Sequence, residues 1–352
     1  MKKLYNKALL YQSIYTGKWA IFGGAFFFFL IVKGSLDNRI ELLRSQIGSM
    51  VLDKLILDNS NALLTTCLIL FGVYVLTTGF NKRNTKTFLT SGPFTKEEIK
   101  KNELMVLIGT LFLLVIIYIY VTLCLYYKER ELLVYASSYW QTLFVDILRI
   151  TVAGLGFISY LTFMDMLFSN IIVAIISMYL MPTILLINLM DHSRFIWLFI
   201  EKGILKNIFI KIENVVNNIS TLVSKIFLWG NEVVNGNYYK DLILIILLVI
   251  IVSIGLFILG WFINKRTTIN KMNKFFTFPI VEKVTLWIIS YTIIFTFISR
   301  ILREYIQRNY IQKGLNINNL VGVIIVILTI GFSIWVSTYL QKNLRKLINK
   351  FI

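Results

Sequence analysis

Three ionisable side chains stand inside otherwise apolar stretches: Asp146 and Arg149, three residues apart, and Asp165 farther along the same run. Insertion of a charge at the centre of a bilayer costs about 3 kcal/mol or more, so such residues are either paired or functional. A spacing of three puts Asp146 and Arg149 on one helical face, where they can pair, while Asp165 falls near the other end of that helix. Two readings follow. Asp146, Arg149 and Asp165 line a polar path through the membrane, or they are an ion pair at one headgroup boundary with Asp165 reaching the opposite one. The single histidine, His192, sits in Asp191-His192-Ser193-Arg194 at the end of an apolar run. Without a second His or a nearby Cys it makes no zinc or other metal site and reads as an interfacial polar residue. No Gly-x-x-x-x-Gly-Lys-Ser/Thr stretch occurs, so no phosphate-cradling loop is recognisable. No spacing of nucleophile and base suggests a hydrolase or protease either, and we expect no enzyme and no catalytic residue in this chain.

The elements that must position these residues are membrane helices. The 352 residues are 57% hydrophobic and 15% charged, outside the range of soluble domains. A helix needs roughly 20 apolar residues to cross about 30 Å of hydrocarbon. Eight runs approach that length: Trp19–Val32, Ala62–Phe80, Leu104–Tyr127, Leu143–Phe168, Ile171–Leu189, Leu242–Ile263, Val284–Ile301 and Leu320–Leu340. The expected fold is therefore all-α, a polytopic transmembrane helical bundle of about eight spans. Only Ser169 and Asn170 separate the fourth and fifth runs, which implies a tight junction there. Cys67 and Cys124 fall inside apolar runs, where a thiol acts as a small hydrophobe.

The net charge of +18 is carried by short segments between the runs, which points to membrane anchoring and away from nucleic acid. With the N-terminus inside, residues 1–18, 81–103, 264–283 and 341–352 carry about 19 basic against 4 acidic residues. The opposite connections carry about 16 against 12 over a greater length. The positive-inside rule then places both termini in the cytoplasm. Residues 1–18 read as an amphipathic elbow on the membrane, followed by a six-span core over 19–263 with a cytoplasmic loop at 81–103 and an extracellular loop at 191–241. Residues 264–352 supply a basic cytoplasmic loop, two additional spans and a basic tail. Within the long loop, Ile208, Ile212, Val215, Val216, Ile219, Leu222 and Val223 have amphipathic helical spacing.

In the loop at 81–103, Gly92-Pro93 breaks the chain. Thr95 followed three residues later by Glu98 forms a capping box that starts a new helix leading into the third span. The stretch Phe88-Leu89-Thr90-Ser91-Gly92-Pro93-Phe94-Thr95-Lys96-Glu97-Glu98-Ile99 resembles the cytoplasmic loop of type-2 ATP-binding-cassette exporter permeases, although Gly92 stands where that family usually has a bulky residue. Asn264-Lys265-Arg266 and Phe276-Thr277-Phe278-Pro279, followed by two further spans, resemble an eight-span Gram-positive subgroup.

The resemblance implies that Phe94, Thr95, Lys96, Glu97, Glu98 and Ile99 form a coupling helix that docks on a separate cytoplasmic ATPase subunit. That subunit would hold ATP and Mg, leaving no cofactor in this chain. It further implies a dimer with a second permease chain, the same or related. The location would be a bacterial plasma membrane, and the activity export of an amphipathic peptide, lipid or drug-like compound. The competing expectations are a membrane scaffold or sensor without transport, a lipid- or peptide-modifying membrane enzyme, and a proton-coupled carrier, for which midplane carboxylates are scarce.

Overall fold

The structure is a computed structural model that describes residues 6–46, 60–78, 88–89, 91–133, 139–197, 238–266, 276–308 and 319–351. The basic run 81–87, the amphipathic stretch 208–223 and the connection at Lys313 lie outside the described residues. The described residues include eight long helices: α1 (Lys7–Gln46), α2 (Ser60–Thr78), α3 (Lys96–Lys128), α4 (Tyr139–Leu167), α5 (Ile171–Trp197), α6 (Tyr238–Arg266), α7 (Pro279–Ile306) and α8 (Asn319–Phe351). Each contains a stretch long and apolar enough to cross a membrane. The chain is a multi-pass all-α membrane protein. Its helices fall into two compact units, α1–α4 with α6, and α5 with α7 and α8. The fifth helix thus groups with the last two.

In the first unit, α1 departs from the expected outline. It makes no turn at residue 18, and it does not end at Val32 but continues to Gln46. Phe28, Val32, Leu36 and Ile40 recur every four residues and are all buried, while Lys33, Asn38 and Glu41 face outward. That stripe keeps the helix packed after its outer face turns polar. At its far end, Arg44 donates to the Glu129 carboxylate at 2.6 Å, just past the end of α3. Helices α1 and α2 run antiparallel in close approach through two glycines. A Cβ on Gly17 would lie 2.9 Å from Thr77 Cγ2, and one on Gly24 would lie 2.7 Å from Ile69 Cγ2. Small residues at such positions let membrane helices approach closely enough for dispersion to hold them, because lipid supplies no hydrophobic drive between helices.

Helices α3 and α4 are also antiparallel, and their register can be read from four pairings: Lys100 with Asp165, Leu111 with Gly154, Tyr118 with Asp146, and Thr122 with Tyr139. As one number rises the other falls. At Gly154 an added Cβ would overlap the end of the Leu111 side chain, which would have to move to admit it. Helix α6 runs parallel to α4, with Val249 and Ser253 against Gly156 and Gly260 against Met166. Beyond that strip Leu247, Ile251, Ile254 and Ile258 stand exposed, as apolar side chains facing lipid do.

In the second unit, α5 and α7 run parallel and α7 packs against α8. Its core is built on Phe195, Phe295 and Ile306, with Ile325, Val326 and Ile330 laid against them. Helix α7 opens with Pro279 after Phe278, a position where the missing N–H costs nothing. Immediately before it, Phe276 pairs with Phe168 and the Thr277 N–H donates to the Leu167 carbonyl at 3.0 Å. In both units several hydroxyls inside the apolar runs are satisfied within their own helix. Thr66, Thr110, Thr162 and Ser333 each donate to the carbonyl four residues back, as hydrocarbon requires.

Candidate functional site

The expected helix start is formed. Thr95 is extended (φ −80°, ψ 152°), the Glu98 N–H donates to its Oγ1 at 3.2 Å, and its own N–H donates to Glu98 Oε2 at 2.9 Å. Both partners of the capping box are therefore engaged, and Glu97 and Glu98 add negative charge where the helix dipole favours it. From this cap α3 runs without interruption to Lys128, about 50 Å at 1.5 Å per residue. The six residues of the segment do not share one surface. Thr95 and Glu97 are exposed, and Phe94, Lys96 and Glu98 are half-buried. Ile99 is turned into the interior at 6% exposure. The surface open to a partner is formed by Thr95 and Glu97 together with Phe88, Ser91 and Pro93, which precede them.

One residue past Ile99 lies a cluster that residue spacing did not reveal. Lys100 Nζ meets Asp165 Oδ2 at 2.8 Å and Glu103 Oε2 at 3.0 Å. Tyr74 of α2 donates its hydroxyl to Asp165 Oδ1 at 2.7 Å. Lys100, Tyr74 and Asp165 are all buried. Three helices are thus tied together within a turn or two of the cap. Lys100 falls in a basic loop by sequence, and its own helix gives the only hint of burial: Ile99, Asn102, Val106 and Leu107 mark the inward face.

Asp146 and Arg149 do pair, at 3.3 Å, and both are buried. Tyr118 of α3 donates to the other carboxylate oxygen at 2.9 Å. Nearby, the Tyr139 hydroxyl donates to the Thr122 carbonyl at 2.7 Å, and burial pushes its phenol up to about 12. Asp165 does not join this group. Nineteen positions along α4 separate it from Asp146, about 28 Å of helix, nearly the thickness of the hydrocarbon. Between the two clusters Leu111 lies against Gly154, and Leu107, Leu114 and Ile158 are buried along with Thr110, Ser159 and Thr162. The three residues singled out by type fall into two separate clusters, one near each end of a helix pair, and Asp165 is buried and paired with Lys100 and Tyr74.

In the second unit His192 is half-buried and uses both ring nitrogens. Nδ1 lies 2.6 Å from the Asn188 carbonyl, which can only accept, so Nδ1 carries the proton there. Nε2 then accepts from the Tyr291 hydroxyl at 2.7 Å. The ring stacks on Phe295 with centroids 3.8 Å apart and planes 8° from parallel. One residue earlier Asp191 accepts from Thr296 at 2.8 Å, with Arg303 4.0 Å away. This histidine joins α5 to α7. Compared with protein-family models, curated proteins and solved structures, the chain matches none of them.

Proposed function

We propose that this chain is the membrane-spanning permease subunit of an ATP-driven exporter, working with a separate cytoplasmic ATPase subunit. The observation that carries the reading is the mechanical continuity at the start of α3. A doubly engaged cap presents Thr95 and Glu97 outward, and within two turns Lys100 ties the same helix to α4 and α2. A push delivered at the cap is therefore transmitted to three helices as a rigid unit instead of being absorbed in a hinge. ATP-driven closure of the partner subunits would tilt α3 and shift the population between two arrangements of the bundle. ATP and Mg belong to the partner. Between its two polar clusters the helix pair buries mostly apolar side chains, and the hydroxyls of Thr110, Ser159 and Thr162 are spent within their own helices, which suits an amphipathic substrate moving along an apolar flank completed by a second permease chain. The basic segments support cytoplasmic termini, and the reading sets the chain in a bacterial plasma membrane.

The test is Glu97→Lys in the complex isolated from native membranes. Glu97 is exposed and takes no part in the capping box, so the charge reversal should cost the helix start only about 1 kcal/mol and leave the bundle folded, while stimulation of the partner's ATPase falls at least about tenfold, a loss of about 1.4 kcal/mol of coupling. Unchanged stimulation rejects the coupling role of this segment.

A further inference from the structure

The first half of α1 carries an aromatic stripe. Tyr11, Tyr15, Trp19, Phe22 and Phe26 follow one another at spacings of three or four residues, and each is between 58% and 77% exposed. At 3.6 residues per turn they share one side of the helix. That side is turned away from Gly17 and Gly24, where α2 approaches. The outward side of α6 is aliphatic by comparison, built from Leu247, Ile251, Ile254 and Ile258. A cation borders the stripe. The Lys18 ammonium stands 4.1 Å from the centroid of the Tyr15 ring and 5.7 Å from that of Trp19. Tyr15 in turn stacks on Tyr11, with centroids 6.2 Å apart. Among the described residues no carboxylate pairs with Lys18, and no Asp or Glu precedes Asp37 in the sequence. Glu103 of α3 is held by Lys100 and adjoins Gln12, Ser13 and Thr16, on a different side of α1. The two rings therefore orient the Lys18 charge without neutralising it.

We propose that this face of α1 binds an anionic phospholipid of the phosphatidylglycerol class. Lys18 and the hydroxyls of Tyr11 and Tyr15 donate to the phosphodiester, and the acyl chains lie along Trp19, Phe22 and Phe26. The order of residues sets the depth. The apolar run begins at Trp19, so Tyr15 and Lys18 stand at the headgroup level, with Phe22 and Phe26 in the hydrocarbon beyond them. Phosphatidylcholine offers the same phosphate, but its choline cation cancels the charge of the head. The face therefore discriminates by net charge. The proposal is independent of the transport reading.

The experiment is quenching of Trp19 fluorescence by brominated lipid. The full chain is reconstituted in dioleoyl phosphatidylcholine vesicles carrying a minor share of brominated phosphatidylglycerol or brominated phosphatidylcholine, and the Trp19 signal is the emission lost in Trp19→Phe. Phosphatidylglycerol should bind about fivefold more tightly than phosphatidylcholine. That preference should fall toward one in Lys18→Gln and shrink in Tyr15→Leu, which keeps the charge but removes the ring that orients it. Lys33→Gln removes the same charge at the far end of the apolar run and should leave the preference unchanged. Equal quenching by the two lipids, a preference undiminished in Lys18→Gln, or one lost equally in Lys33→Gln overturns the proposal. So does a Trp19 signal that neither lipid quenches, which would mean that a second copy of the chain or another protein covers this face.

Discussion

Lys100 and Asp165, 65 residues apart in the chain, meet at 2.8 Å with side chains 8% and 0% exposed. A single ammonium there faces two carboxylates, and this imbalance ranks the substitutions. Lys100→Met takes from the buried Asp165 and the half-buried Glu103 the ammonium they share. Asp165→Asn leaves a neutral Lys100–Glu103 pair. Breaking a buried pair costs about 3–5 kcal/mol when a charge is stranded. Lys100→Met should therefore be the more destabilising change, by several degrees of Tm in detergent, and Lys100→Met with Asp165→Leu should recover part of the loss. Equal losses for the two single variants would show that charge balance does not govern the cluster.

The α3–α4 contact makes a second prediction. A methyl group at residue 154 overlaps Leu111, so Gly154→Ala should destabilise by about 1–3 kcal/mol. Adding Leu111→Ala should restore some of that loss, because it opens the space the methyl needs, although Leu111→Ala alone is destabilising. Thermal unfolding of the three variants forms a double-mutant cycle. Additive losses would mean the two side chains do not meet.

The extent to which these features could be read in advance depends on their range. The eight apolar runs, the Thr95–Glu98 box and the Asp146–Arg149 pair all rest on local period or spacing, and each is present in the folded chain. The partners of Asp165 come from α2 and α3, 91 and 65 residues away, and no local pattern encodes them. The length of α1 was hidden for another reason. Hydropathy falls after Val32, yet the buried stripe through Leu36 and Ile40 sustains the helix by packing. The grouping of α5 with α7 and α8 is likewise tertiary, resting on contacts such as Asn188 with Thr292.

Tyr139 gives a prediction in alkali. Its phenol is pushed up to about 12 by burial, above an unfolded value near 10. The unfolded chain therefore loses this proton first, and the stability tied to it is intact below pH 10 and lost as pH rises from 10 toward 12. Difference absorbance of tyrosinate between the native protein and Tyr139→Phe should place the missing titration step near 12. A step near 10 would mean that Tyr139 is not buried as described.

Removing the cap should weaken coupling without abolishing the bundle. Thr95→Ala strips the side-chain acceptor for the Glu98 N–H and should cost about 1 kcal/mol, while Thr95→Ser should be nearly neutral. Amide hydrogen exchange over the first turn of α3 is the direct readout. Faster exchange is expected at Glu97–Ile99 in Thr95→Ala, and unchanged exchange would show that the cap does not hold the turn.

The central claim is that the outward surface at Thr95 and Glu97 receives an ATPase. Purification of the full chain from its native membrane under mild detergent, followed by subunit identification and assay of ATP hydrolysis, tests this most directly. The account predicts a stoichiometric partner containing a phosphate-binding loop, whose stimulated hydrolysis collapses in Glu97→Lys while the bundle stays folded. A chain that purifies without any nucleotide-binding subunit, or with one whose hydrolysis is indifferent to Glu97→Lys, would contradict it.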